Sequence, residues 1–134
     1  MNQLHNMIHQ YYQFFNDNNL TAFLDLLHED IIHDINQGER QVGKEKFLTF
    51  MQRMNRCYKE KIDNLIIMTA NDSCHTAAEF RVTGTYLATD SGLPQARNQS
   101  YSLLCGAFFE MKNDKILRVT NYYNLNEWLK QIGE

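Results

Sequence analysis

The spacing of apolar residues changes once along the chain, near residue 60, and this change constrains the fold more than any other feature. Before it, apolar residues recur every three or four positions, which predicts amphipathic helices. After it, a period of two runs through long segments rich in Thr, Val, Ile, Phe and Tyr, which predicts β-strands. Helices followed by strands predict an α+β fold with an antiparallel sheet.

The helical part divides into three helices and one short strand. The first helix carries one apolar stripe: Leu4, Met7, Ile8, Tyr11, Tyr12 and Phe15. Residues 16–19 break this stripe, and a second, shorter helix starts at Leu20 and includes Leu27. Residues 31–36 then predict a short strand, and a third helix opens at Gly43.

The remaining residues predict four strands, and the segments are 62–70, 75–88, 99–111 and 116–124. Tight hairpin turns are expected between the first two strands and between the last two. A longer loop, 89–98, joins the two hairpins, and residues from 124 to 132 predict a short closing helix. Residues on both faces of the last two strands are largely apolar, so we expect the sheet to curl around the helices.

Composition excludes several classes of protein. The 134 residues are 43% hydrophobic and 22% charged and show no linker or repeat, which predicts one globular domain over residues 1–134. No apolar run approaches the ~20 residues of a membrane span. The net charge of −3 gives no basic field for nucleic acid.

Three features bear on compartment and ligands. The start of the chain lacks the basic region of a secretory signal, and the three cysteines have no metal-site or disulfide spacing. We therefore expect a cytoplasmic protein that holds no metal. Residues 40–61 carry seven basic side chains against two acidic ones. This segment is either a solvated helix face or a site for an anionic ligand or partner.

Particular stretches of the chain resemble the nuclear-transport-factor-2-like superfamily, which includes ketosteroid isomerases and SnoaL-like polyketide cyclases. They are residues 10–16 followed by 20–30, the strand 33–40 leading to Gly43, and the ending 107–123. The chain looks most like the bacterial ketosteroid-isomerase-related proteins. The resemblance implies a cone-shaped, curved antiparallel sheet packed on three N-terminal helices, the cystatin-like half barrel. It also implies a pocket between the helices and the concave sheet, and a homodimer.

The resemblance implies two catalytic residues. Asp34 lies in the region where ketosteroid isomerase has a general base on a strand, and a carboxylate in an apolar pocket has a raised pKa. Tyr11 falls at the isomerase's oxyanion-hole tyrosine. The spacing from Tyr11 to Asp34 is one residue shorter than in the isomerase, and a one-residue slip turns a side chain to the other face. Two alternatives remain: Asp34 forms hydrogen bonds to the backbone or to Arg40, and Tyr11 is a core residue.

Further residues are candidates for ligand binding on the concave face. These are Asn36, Tyr86, Tyr101, Phe109, Asn121 and Tyr123. Mixed polar and aromatic side chains of this kind can orient a small ligand. Ala107 departs from the isomerase pattern, because it stands where that enzyme has a protonated aspartate as second donor.

These observations predict a cofactor-independent isomerase or cyclase that acts by proton transfer on a small hydrophobic carbonyl compound. Asp34 would be the base and Tyr11 the donor. Two other classes stay open: a non-catalytic domain that binds a small hydrophobic ligand, and a structural or protein-interaction domain. We expect a homodimer formed through the outer face of the sheet, with neither a nucleic-acid nor a membrane partner.

Overall fold

In the computed structural model, residues 3–133 are described, and within them four helices pack on one six-stranded sheet. The helices are α1 (Gln3–Asn16), α2 (Leu20–Asp25), α3 (Lys44–Cys57) and α4 (Leu125–Gly133). The strands are β1 (Leu27–Asp34), β2 (Arg40–Val42), β3 (Tyr58–Thr69), β4 (His75–Tyr86), β5 (Ser100–Lys112) and β6 (Lys115–Tyr123).

The sheet has the strand order β2-β1-β6-β5-β4-β3. Strands β3 to β6 form an antiparallel meander, as the sequence predicts. The last strand of this meander lies parallel to β1, so the sheet is mixed rather than wholly antiparallel. The predicted α+β class with a curved sheet is confirmed, and the parallel pair corrects its description.

The boundaries differ from the expectation at two places. Leu27 begins β1 instead of ending α2, because its buried side chain belongs to the sheet, where it pairs with Ile116. Over so short an apolar run, helical and strand spacing cannot be told apart. Strand β3 begins at Tyr58, directly after α3, whereas the alternation predicts a start at residue 62.

The two faces of the sheet have different surroundings. Strand β4 shows this clearly, because its buried residues alternate with exposed ones along most of its length. Helices α1 and α3 pack on the side of the buried residues, which we call the inner face. The opposite, outer face carries Leu104, Phe108 and Tyr122, each about half exposed. The inner face, which the helices cover, is therefore the side on which an enclosed pocket can form.

Candidate functional site

A cavity of about 270 Å³ lies between the inner face and helices α1 and α3. Most of its lining is aromatic or aliphatic. Besides the tyrosines, the polar lining side chains include His33, Asn36, Arg53, Glu60, Asp90 and Asn121. A mainly apolar cavity with a few polar groups is the usual form of a small-molecule site.

Glu60 places a carboxyl group in this cavity. Its Oε2 accepts a hydrogen bond from the Tyr101 hydroxyl at 2.5 Å. Burial raises the pKa of Glu60 above its ordinary value, and the Tyr101 hydrogen bond opposes part of that rise. Burial and the nearby Glu60 charge raise the pKa of Tyr101, so this phenol stays a donor. Glu60 is thus an acid that holds its proton more tightly than an exposed glutamate does.

Gly84 makes the contact between Glu60 and Tyr101 possible. The three residues lie side by side on neighbouring strands, with Gly84 of β4 in the middle. A Cβ atom at position 84 would collide with the Tyr101 phenol ring. The absence of a side chain therefore lets this ring cross β4 and reach the carboxylate on β3.

A second carboxylate of the cavity, Asp90, is held by partners of a different kind. Its Oδ2 accepts a hydrogen bond from the Tyr58 hydroxyl at 2.8 Å, and the Arg53 Nε lies 3.4 Å from Oδ1. The Tyr86 hydroxyl accepts the Asp90 backbone N–H at 2.9 Å and donates to the Pro94 carbonyl at 2.7 Å. The cation offsets the Asp90 charge, and Tyr86 fixes the loop that carries it.

Two other lining residues, Tyr12 and His33, each bury a polar atom that has no hydrogen-bond partner within residues 3–133. The atoms are the Tyr12 hydroxyl and the His33 Nδ1. The residues are only 5% and 3% exposed. Burial lowers the pKa of His33 to about 4, against an opposing effect of Asp34. The imidazole is therefore neutral at pH 7.

Most of the sequence-derived site residues do line this cavity. They are Tyr11, Asn36, Tyr101, Asn121 and Tyr123. Asn36 uses its amide on the backbone of Tyr123, donating to the carbonyl at 3.0 Å and accepting the N–H at 3.2 Å. It therefore positions the end of β6. The catalytic role of Tyr11 and the binding roles of these residues stay predictions.

Two of the expected binding residues lie outside the lining of the cavity. Phe109 is fully buried in the core, with its ring centroid 5.3 Å from that of Tyr11. Tyr86 is fully buried as well and holds the 89–98 loop through its hydroxyl. Both side chains point to the inner face, as expected, but neighbouring side chains cover them. Their assignment to ligand contact is corrected to a structural one.

Asp34 points away from the cavity, to the outer face. Its carboxylate accepts hydrogen bonds from Arg40 Nε at 2.6 Å, Arg40 Nη2 at 2.9 Å and the Thr120 hydroxyl at 2.6 Å. The Arg40 hydrogen bond is the main cause that lowers the pKa of Asp34 to about 2, and burial opposes it. Neighbouring strand residues face opposite sides, so the inward residue is His33. The expectation of a raised pKa at Asp34 is wrong.

Sequence reasoning missed Glu60, Asp90 and His33 as cavity residues. A usable signal existed for Glu60, since Tyr58, Glu60 and Ile62 alternate on one face of β3. Three basic residues of the segment 40–61 pair with different acidic residues: Arg40 with Asp34, Lys44 with Glu29 and Arg53 with Asp90.

One cluster of potential metal ligands lies far from this cavity, in the β3–β4 turn. Donor atoms of Asp72, Cys74 and His75 lie within 4.8 Å of one another. Asp72 accepts the backbone N–H groups of Cys74 and His75, both at 3.0 Å, and contacts the His75 ring at 2.5 Å. These hydrogen bonds account for the geometry as a turn, so we assign no metal to it.

The chain belongs to the SnoaL-like domain family, whose model matches residues 8–119. This confirms the resemblance to the nuclear-transport-factor-2-like superfamily. Among the curated proteins, none matches the chain. No helix within residues 3–133 is long and apolar enough to cross a membrane.

Three solved structures are similar over nearly the whole chain, and each protein is named as a candidate polyketide cyclase. The one from Pseudomonas putida KT2440 is 52% identical, with a TM-score of 0.95 and 98% of both chains covered. The one from Xanthomonas campestris pv. campestris is 42% identical, with a TM-score of 0.93 and 96% of both chains covered. The one from Silicibacter sp. TM1040 is 46% identical, with a TM-score of 0.93, and covers 96% of this chain and 93% of that chain.

Proposed function

We propose that this protein is a cofactor-independent isomerase or cyclase, which moves a proton on a small hydrophobic carbonyl compound bound in the cavity. Glu60 is the acid–base group. The observation that carries the proposal is a carboxyl group of raised pKa in a mainly apolar cavity, fixed by a tyrosine hydroxyl at 2.5 Å. A raised pKa brings a carboxylate closer to the pKa that proton abstraction needs near neutral pH.

The reaction begins with ionised Glu60 taking a proton from the carbon next to the carbonyl group. The electron pair of that C–H bond forms the enolate, whose charge rests on the carbonyl oxygen. In an isomerase, protonated Glu60 returns the proton to a different carbon. In a cyclase, the enolate carbon attacks a second carbonyl of the same molecule, and the new alkoxide takes the proton. Both outcomes share the first step.

The cavity also offers donors for the developing oxyanion. Tyr11 and Asn121 line it, and we assign them to the carbonyl oxygen. Burial raises the pKa of Tyr11, so its hydroxyl keeps its proton and can donate. A donor aimed at the developing charge typically contributes ~10²–10³ in rate. Tyr11 thus keeps the role that the resemblance implies, whereas Glu60 replaces Asp34 as the base.

The family and its solved members support a reaction of this type without naming a substrate. Relatives of 42% to 52% identity are named as candidate polyketide cyclases. The three unpaired cysteines suit a reducing compartment, so we also propose a cytoplasmic location. The alternative function is a binding domain for a small hydrophobic ligand, which the same aromatic lining favours.

Deuterium exchange into 2-tetralone, a two-ring ketone, tests the first step without the natural substrate. The ketone is incubated with protein in D2O, and its mass is followed over time. We expect the wild-type protein to accelerate exchange above the buffer rate. Glu60→Gln should reduce that acceleration by about 10²- to 10⁴-fold, because it removes the base.

Asp34→Asn is the matched control, because it neutralises a carboxylate on the outer face of the same sheet. Its exchange rate should stay within about twofold of wild type, since catalysis by a positioned base requires hydrogen-bond reach. If wild-type protein binds 2-tetralone but gives only the buffer rate, the binding-domain alternative holds. If Asp34→Asn loses exchange and Glu60→Gln keeps it, the assignment of the base is wrong.

A further inference from the structure

The Tyr12 hydroxyl and the His33 Nδ1 stand out because the proposed reaction uses neither. Both are buried without a partner in the described part of the chain, and both residues line the cavity. A buried polar atom left unpaired costs free energy, and folded proteins pair nearly all such atoms. Both residues are therefore candidates for hydrogen bonding to a ligand in the cavity.

Neither side chain can easily turn to find a partner elsewhere. The His33 ring stacks on Phe47, with centroids 4.3 Å apart and an interplanar angle of 22°, and it meets the edge of Phe50 at 4.7 Å. The Tyr12 ring packs against Tyr11 at 5.0 Å and Phe80 at 4.8 Å. Closely packed rings of this kind hold their orientation. The Tyr12 hydroxyl and the His33 Nδ1 are therefore held in place by the packing of their rings.

The charges around the cavity favour an uncharged ligand. Neutral His33 offers no positive charge at pH 7, and Arg53 already pairs with Asp90. The Glu60 carboxyl adds an acidic group. An anionic ligand would bury its charge beside these acids with no free cation among the described lining residues, which is costly. A hydroxyl group both donates and accepts, so it can pair with a phenol and with either tautomer of an imidazole.

We propose that Tyr12 and His33 form a hydroxyl-binding subsite, and that the ligand is an uncharged compound of one or two rings with a hydroxyl group in addition to its carbonyl group. The carbonyl part of this assignment rests on the proposed function, and the hydroxyl part does not. The size follows from the cavity volume of about 270 Å³. This volume lies at the small end of ligand sites.

Three two-ring probes test the subsite: naphthalene, 2-naphthol and 2-naphthoate, titrated at pH 7 by fluorescence. They differ in carrying no polar group, an uncharged hydroxyl or a carboxylate. We expect 2-naphthol to bind about tenfold more tightly than naphthalene, as one or two neutral hydrogen bonds allow. We expect 2-naphthoate to bind most weakly of the three.

Tyr12→Phe and His33→Phe remove the polar atoms and keep an aromatic ring. Each should reduce the preference for 2-naphthol over naphthalene by about fivefold and leave naphthalene affinity unchanged. An unchanged preference in both variants would overturn the subsite. A preference for 2-naphthoate would overturn the claim that the ligand is uncharged.

The melting temperature of the ligand-free protein separates a ligand-binding role of the Tyr12 hydroxyl from a structural role, because the two roles predict opposite changes. Deleting an unpaired buried hydroxyl removes a desolvation penalty, so Tyr12→Phe should melt at the same or a higher temperature than wild type. A lower melting temperature, with an unchanged probe preference, would mean that the hydroxyl is paired inside the protein or with a bound water only.

The same measurements separate this inference from the proposed function. Glu60→Gln should lose 2-tetralone exchange and keep the preference for 2-naphthol. If wild-type protein catalyses no exchange, yet Tyr12→Phe loses the preference, the subsite stands and the protein is a binding domain. If exchange depends on Glu60 while the preference never depends on Tyr12 or His33, the function stands and the subsite fails.

Discussion

The two faces of one sheet treat a carboxylate in opposite ways. On the inner face, Glu60 has a phenol as its partner, and burial raises its pKa. On the outer face, Asp34 has the Arg40 guanidinium as its partner, and its pKa falls to about 2. A neutral donor only moderates the effect of burial, whereas a cation outweighs it. The charge of the partner thus separates the carboxyl group that we propose as the acid–base group from a structural ion pair.

Apolar side chains divide between the faces in the same manner. Inner ones surround the cavity together with α1 and α3. On the outer face, Leu104, Phe108 and Tyr122 are 58%, 48% and 56% exposed. The ring centroids of Phe108 and Tyr122 lie 5.8 Å apart. Contiguous exposed apolar side chains often mark an interface, whereas single ones are common on any surface. The inner face thus encloses the cavity in which we propose that a ligand binds, whereas the outer face is free for a proposed partner.

We propose that the partner is a second copy of the chain, and charge on the outer face should have the largest effect of the changes considered. Light scattering at micromolar concentration should give about twice 15.8 kDa for wild type. Leu104→Glu and Phe108→Glu should give the monomer mass, because each would bury an unpaired charge in the interface. Val42→Glu is the control, since that exposed residue lies on the edge strand β2, three places from β5 in the sheet. A monomeric wild type would refute the dimer.

A change at Gly84 sharpens the account of the inner face, with a smaller effect. Gly84→Ala should displace the Tyr101 ring and break its hydrogen bond to Glu60. We expect 2-tetralone exchange to slow about tenfold. The pH midpoint of exchange should rise, because the Tyr101 hydrogen bond lowers the pKa of Glu60. The measurement is the exchange rate as a function of pH.

Tyr101→Phe is the comparison for this prediction, because it removes the same hydroxyl directly. The double variant should be no slower than the slower single variant, since both act on one contact. Full additivity of the two effects would show that Gly84 acts by another route.

The fold was largely readable because its signal is periodic and long. Four strands alternate over nine or more residues, and the structure keeps them as the meander from β3 to β6. The parallel contact between β1 and β6 carries no such signal. It depends on how two segments distant in sequence meet, which no local pattern records.

The site was harder to predict, because a shift of one residue decides which face of the sheet a side chain points to. Alternation in β1 allows either Asp34 or His33 to point to the inner face. The resemblance favoured Asp34, whereas the register of the strand places His33 there. Glu60 was hidden for another reason. Helix α3 ends at Cys57 and β3 begins at Tyr58, so no turn residue marks the change of period. The sequence pattern therefore grouped Glu60 with the charged residues of a basic helix. It did not identify Glu60 as a strand residue on the inner face.

Stability offers a third test of the inner face, and Glu60→Gln should stabilise the ligand-free protein at pH 7. An acid whose pKa is raised by folding disfavours the folded state above its ordinary value of 4.5, and the penalty grows until the pH passes the folded pKa. The gain in the free energy of unfolding should be about 1.4 kcal/mol for each pH unit by which folding raises the pKa of Glu60. This gain should vanish near pH 4. Urea unfolding at both pH values measures it. A loss of stability at pH 7 would mean that Glu60 is a structural acid.

Asp34→Asn should show the opposite sign and the smallest effect. Folding lowers the pKa of Asp34 from 3.8 to about 2, so its contribution to stability is complete above pH 4 and is lost as the pH falls through 2. The Arg40 side chain is 57% exposed, so solvent screening keeps the contribution of this ion pair small. At pH 7 the variant should therefore unfold at lower urea than wild type, and the difference should shrink near pH 2. Arg40→Gln should produce a similar loss, because it removes the other half of the same ion pair. If Asp34→Asn stabilised the protein at pH 7, as expected for Glu60→Gln, the distinction between the two faces would fail.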